Sequence, residues 1–294
     1  MVVLRHNGYV TRLAGVVIFA SICCAEARRY PMSGLVVEID APHQTVTVSH
    51  QQIPGYMEAM SMPFHVRPVK ALAQLHPGEG IACTLVVDKN SSWIEDIRVV
   101  EFDSAERDPA LASRLKLLGS MVDNTPAPAL SLGETVPDFT LIDQTNTPVK
   151  LSQFAGKVVA INFVYTRCPL PDYCFRLSNN FGRLRKRFEK TTDLILLTVT
   201  FDPANDSPEV LERYSQIWKA DPAMWHFLTG PVADVQRLCA MFGVGVWQDE
   251  GVYTHSLQTA VIDRGGKLVA NIEGNRYTPQ QLGDLAQAVL KRTH

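Results

Sequence analysis

The chain has 294 residues, of which 46% are hydrophobic and 20% charged, and its formal net charge is −2. This length points to about two domains, and the composition excludes a disordered chain. The near-balanced charge leaves no footprint for a nucleic-acid partner.

The first residues read as an export signal. Arg5 and Arg12 accompany the apolar run LAGVVIFASICCA, which ends at the small-x-small site Ala25-Glu26-Ala27. The run is shorter than the ~20 residues a membrane span requires. Residues 1–27 are therefore expected to be a signal peptide and the mature chain periplasmic, with membrane attachment only if the segment stays uncleaved. A lipoprotein signal is disfavoured, because Ile22 and Cys23 stand where a small residue is wanted. Cleavage leaves Cys83, Cys168, Cys174 and Cys239 in an oxidising compartment, where thiols pair unless a metal or a reductant keeps them apart.

Five short strand-like runs follow, at 35–40, 45–50, 60–66, 81–87 and 93–102, with DKNSS turning between the last two. They predict a small all-β, OB-like five-stranded barrel over 30–103. Residues 104–130, which include TPAPA, read as an extended linker. From 131 to 294 strands alternate with helices. VVAINFVYT and LILLTVTF are buried strands, Ser207-Pro208 opens a helix, Gly243 closes another, and Gly265-Gly266 turns a hairpin. This alternation predicts an α/β layer fold with a partly parallel sheet.

Two cysteines bracket the turn where the first buried strand gives way to a helix. Cys168 directly follows the strand, and Cys174 falls in or near the first helical turn. A thiol at a helix N-terminus has a depressed pKa, and the thiolate is both a nucleophile and a soft metal ligand. Paired thiolates suit Cu(I). Pro169 and Pro171 stiffen the loop between them. The same pair could also staple the loop as a disulfide. Cys239 and Cys83 lie in apolar patterns and read as packed, inert side chains, and Asp202 reads as a turn or cap residue.

These residues carry a resemblance. VPDFTLIDQTNTPVKLSQFAGKVVAINFVYTRCP, VTFDPANDSPEVLERY and YTHSLQTAVIDRGGKLV resemble the Sco/SenC family, thioredoxin-like copper proteins that serve cytochrome oxidase assembly. The resemblance spans nearly all of the second domain and implies a thioredoxin-like fold. It also implies a copper site made by Cys168, Cys174 and His255. One feature departs from the family pattern: five residues, PLPDY, separate the cysteines, where the family usually has three.

The barrel segment carries its own pattern. SHQQIPGYMEAMSMPF holds Met57, Met60 and Met62 within six residues, and His50 ends the preceding strand. Met60 and Met62, two apart on a strand, share a face. Thioether and imidazole donors favour Cu(I) or Ag(I), although methionines also fill small cores. The segment resembles the CusF-like copper/silver chaperones, whose His and two Met ligands fall on His50, Met60 and Met62. Their capping Trp is replaced here by Met57, which the resemblance leaves as a possible third sulfur donor.

Together these readings predict an exported copper metallochaperone. Its partners would be a copper acceptor such as a cytochrome oxidase subunit and a periplasmic thiol reductant. Two alternatives stay open. One is a thiol–disulfide oxidoreductase in which Cys168 and Cys174 are catalytic; the other is a copper-sequestration module in resistance. Sequence alone leaves it open whether the chain is an enzyme.

Overall fold

The computed structural model describes residues 27–100, 129–249 and 252–292. The expected signal peptide and nearly all of the expected linker lie outside the described residues. Among the described residues no helix is long and apolar enough to cross a membrane.

The first unit is a closed barrel of β1 (Arg28–Asp40), β2 (Thr45–His50), β3 (Met60–Val66), β4 (Gly80–Val87) and β5 (Ser92–Val99), in the order β1-β2-β3-β5-β4. Strand β1 starts earlier than its apolar pattern announced. Its first half, RRYPMSG, lacks a long apolar run and is held extended by antiparallel pairing with β4, from Arg28 opposite Val87 to Leu35 opposite Gly80. The interior is filled by alternating side chains, among them Val36, Val46, Val48, Phe64, Leu85 and Ile94.

Gly34 lies opposite His50 in the β1–β2 ladder. A β-carbon there would sit 2.6 Å from Val48 Cγ1, 2.7 Å from the Ser49 carbonyl oxygen and 2.8 Å from His50 Cα. Two of these three neighbours are backbone atoms and cannot swing away. Gly34→Ala should therefore push β2 outward at His50 and cost about 1–3 kcal/mol of barrel stability, read as a lower denaturant midpoint.

The second unit is a seven-stranded sheet in the order β14-β13-β8-β9-β10-β6-β7, whose strands and helices follow in chain order. A hairpin of β6 (Thr140–Asp143) and β7 (Pro148–Lys150) leads to β8 (Val158–Val164) and α1 (Arg176–Arg187). Next come β9 (Leu194–Thr200), α2 (Pro208–Ile217), β10 (Trp225–Thr229) and α3 (Val232–Met241). A two-stranded ribbon of β11 (Val246–Asp249) and β12 (Val252–His255) stands apart from the main sheet. The chain ends in β13 (Gln258–Ile262), β14 (Leu268–Glu273) and α4 (Pro279–Lys291). Strands β8, β9 and β10 are parallel and the rest pair antiparallel. Every residue of β8 and β9 is buried, which explains their unbroken apolar runs. Ser207 caps α2 by accepting a hydrogen bond from the Val210 amide, with Pro208 at the first helical position. The fold is thioredoxin-like, as expected.

The two units are docked. Leu35, on the outer side of the barrel, is buried in the apolar core of the second unit. Ser49 donates its hydroxyl to Asp284 at 2.7 Å, and Gln281 donates to the Ser49 carbonyl at 2.9 Å. Gly78, at φ +94°, lets its loop lie against β14, where a β-carbon would come within 3.1 Å of Ala270 Cβ and 3.2 Å of Ile272 Cγ1.

Candidate metal centres

The C-terminal end of β8 delivers the first thiol. Thr166 and Arg167 precede Cys168, and each is tied to the loop that follows β9. Thr166 donates its amide (3.1 Å) and hydroxyl (2.5 Å) to Asp206, and Thr200 donates its hydroxyl to the same carboxylate at 2.5 Å. Arg167 pairs with Asp202 at 2.7 Å, and Asn205 donates to the Asp202 carboxylate as well. Asp202 is thus more than the expected turn residue. Its backbone carbonyl receives the Asn205 and Asp206 amides, and its fully buried carboxylate anchors the residue beside Cys168. Asp206 had no motif of its own, since it reads as the residue before a helix cap.

Burial is the main cause that raises the Asp206 pKa above the ordinary carboxylate value, although three hydrogen bonds oppose it. Its proton is therefore held more tightly in the folded chain than in the unfolded one. This contribution to stability is fully present below the unfolded value of 3.8 and is lost as pH rises through the raised folded value. Urea titrations of the parent and Asp206→Asn should reveal it: the parent loses ground to the variant as pH rises above about 4 and then levels off. A parent that gains on the variant over that range would refute the assignment.

The second thiol comes from Pro171–Phe175, a widened π-type turn in which Tyr173 has non-helical backbone angles (φ −106°, ψ −106°) before α1 begins. The extra length of PLPDY is taken up by this turn and by Leu170, which is left exposed. Asn275 fixes the turn by donating to the Asp172 carbonyl. The cysteine spacing therefore departs from the family pattern without separating the sulfurs.

His255 arrives from the end of β12. Its ring packs on Phe201 (centroids 4.5 Å apart) and edge-on to Tyr165 (6.0 Å). Nδ1 lies 2.9 Å from the carbonyl of Ser256 and donates to it, so Nε2 faces Cys174 Sγ at 3.8 Å. The ligand atoms of Cys168, Cys174 and His255 all lie within 4.8 Å of one another, the one such His/Cys/Asp/Glu cluster among the described residues. A three-coordinate ion with bonds of ~2.0–2.3 Å needs donors about 3.5–4.0 Å apart. The Cys174–His255 pair already meets that spacing, and the rest of the set is at most an ångström or so too wide.

The two thiols differ sharply in character. A hydrogen bond from Cys174 is the chief reason that the Cys168 thiol is pulled down to about 4, against burial. Cys174 is only 1% exposed, and burial pushes its thiol well up. Burial also raises Cys83 and Cys239 to about 12, which fits inert packing. Cys83, Cys168, Cys174 and Cys239 are all free thiols in this structure.

The barrel gathers the second donor set. In the β2–β3 ladder His50 stands opposite Met60 and Val48 opposite Met62, which places His50, Met60 and Met62 on one face. Met62 is half-buried against the barrel core, and Met60 is 43% exposed. Met57 also packs against that core, and its backbone pairs with Ile53 around a tight turn. Trp93 lies opposite His65 at the far end of β3, stacked under Arg67, so it cannot cap this face.

His50 repeats the device seen at His255. Nδ1 donates to the carbonyl of the next residue, Gln51, at 2.7 Å, so Nε2 is the ring nitrogen left without a backbone partner. That nitrogen is buried without a hydrogen-bond partner among the described residues, and the residue is 1% exposed. A buried acceptor left unsatisfied costs about 1–3 kcal/mol. A soft cation held by imidazole and thioethers would satisfy it, so the donor chemistry and the orphaned atom both fit a metal at this face.

A thioredoxin-like domain with a Cys, Cys, His cluster, joined to a small barrel with a His and Met face, defines a class of two-domain soft-metal proteins. The chain belongs to the SCO1/SenC family, whose family model matches residues 128–290. The model for the copper-binding periplasmic protein CusF matches residues 29–99. Both matches make copper the metal of this chain. A Stutzerimonas stutzeri protein named for copper binding is 28% identical over 160 residues, covering 52% of this chain and 76% of that one. The SCO1 protein homolog of Bacillus subtilis is 24% identical over 153 residues, covering 50% and 78%. Among solved structures, a SCO1/SenC family lipoprotein from Bacillus anthracis aligns with a TM-score of 0.50 and 23% identity over 56% of this chain and all of that one, a likeness of fold.

Proposed function

We propose that the protein is a periplasmic copper metallochaperone that holds Cu(I) through Cys168, Cys174 and His255. The observation that carries this reading is the convergence of those three donors from distant segments within 4.8 Å. His50, Met60 and Met62 form a second Cu(I) site in the barrel, with Met57 beside it in the following loop. Tethering raises the local concentration of barrel-bound copper for the cysteine cluster. The acceptor is a copper-site protein of the cytochrome oxidase type. Transfer proceeds by stepwise ligand exchange and requires Cys168 and Cys174 to be kept reduced by a periplasmic thiol reductant.

The experiment is anaerobic transfer from the reduced, copper-loaded chain to an apo copper-acceptor domain of cytochrome oxidase. The reading expects copper to appear in the acceptor at a rate that collapses with His255→Ala. A second reading, thiol–disulfide exchange, is favoured by the low pKa of Cys168. It expects the acceptor's disulfide to be reduced without copper and independently of His255. Tight binding with neither transfer nor exchange would instead indicate sequestration.

A further inference from the structure

The barrel's donor face is not open to solvent on all sides. Its edge borders a cleft of about 470 Å³ whose walls come from both domains: His50 and Ala59 on the barrel, and Asn179, Arg183, Thr278 and Gln281 opposite. Three hydrogen bonds that join the domains fall on the immediate neighbours of the donors. Gln281 and Asp284 of α4 hold Ser49, next to His50, and Gln280 reaches the carbonyl of Ala59, next to Met60, at 3.4 Å. The loop that leads from β14 into α4 contacts the cysteine turn, where Asn275 donates to the Asp172 carbonyl.

We propose that the first turn of α4 is the lid of the barrel's metal site, so that cation binding at His50, Met60 and Met62 and docking of the barrel on α4 are positively coupled. The proposal rests on the reading of those three residues as soft-cation donors. Its sign follows from His50, which lines the cleft between the domains and whose Nε2 is buried in the docked chain without a hydrogen-bond partner among the described residues. A cation bound there removes that penalty in the docked state while leaving the Ser49 bonds in place. The coupling is reciprocal, so whatever loosens the lid must weaken the cation.

The test uses the full chain carrying Cys168→Ser and Cys174→Ser, which silences the other soft-donor cluster, with Ag(I) as the probe. Hydrogen exchange is followed at Ser49–Gln52 and at Gln280–Asp284. Saturating Ag(I) should slow exchange at both segments by about fivefold or more, the range of a typical coupling. Ser49→Ala spares the cap of α4, removes one lid bond and should weaken Ag(I) by a few-fold; adding Gln281→Leu should weaken it further. Unchanged or faster exchange in α4 on Ag(I) binding would overturn the proposal. If His50→Ala leaves Ag(I) affinity untouched, the donor assignment fails instead, and the two failures are told apart.

Discussion

Replacing His255 with alanine is expected to weaken Cu(I) binding at the cysteine cluster by two orders of magnitude or more. Loss of an outer-shell partner typically costs about 10–100-fold in metal affinity, and loss of a direct donor exceeds that. The imidazole is held by the Ser256 carbonyl and packs on Phe201 and Tyr165, neither of which carries a nitrogen donor. The fold should tolerate the change, because His255 is itself half-buried and ends a two-stranded ribbon that is not part of the main sheet. Competition with a Cu(I) chelator measures the effect. Unchanged affinity, together with continued cycling of the two thiols, would move the assignment to an oxidoreductase.

The second large effect concerns the two thiols in the metal-free protein. An ordinary thiol has a pKa of about 8.5, so its thiolate fraction rises almost a thousandfold between pH 5 and pH 8. With its thiol at about 4, Cys168 is already ionised at the start of that range. Alkylation of Cys168 by iodoacetamide should therefore stay flat within about twofold from pH 5 to pH 8, while a free thiol control climbs steeply. Cys174, buried and with its pKa raised, should resist modification until denaturant is added. Peptide mapping after timed alkylation separates the two sites. A rate at Cys168 that rises with pH like the control would contradict the hydrogen-bonded pair described above.

Both results bear on what the cluster does. A preformed thiolate at Cys168 offers Cu(I) a soft anionic donor at neutral pH without competition from a proton. Cys174 gives up its proton only when the ion arrives, so binding at this site should release protons. The buried Asp202 and Asp206 hold the loop through Arg167, Thr166 and Thr200.

Much of this was legible in the chain before any coordinates. Strands β8 and β9 announced themselves because parallel strands buried on both faces carry unbroken apolar runs. Ser207-Pro208 and Gly265-Gly266 fixed a helix start and a hairpin by local chemistry. The donors stood out because thiols, imidazoles and thioethers are scarce and their spacing suits soft metals. What stayed hidden was set by tertiary contact. Strand β1 is extended backward by pairing with β4, which a single-strand pattern cannot show. The β11–β12 ribbon that presents His255 has no clean alternation. Asp206, Asn275, Gln281 and Asp284 are ordinary polar residues in sequence, and their roles exist only once distant segments meet. The docking of the barrel on α4 belongs to the same class, since Leu35 reads as a barrel strand residue yet is buried in the neighbouring core.

The central claim is that one chain carries two independent soft-metal donor sets. Anaerobic Cu(I) titration of the reduced full chain against a competing chelator tests it most directly. Two equivalents should bind tightly. One should vanish with Cys168→Ser, Cys174→Ser and His255→Ala combined, and the other with His50→Ala, Met60→Leu and Met62→Leu combined. A chain that binds a single equivalent, or that keeps both after either set is removed, would contradict the account.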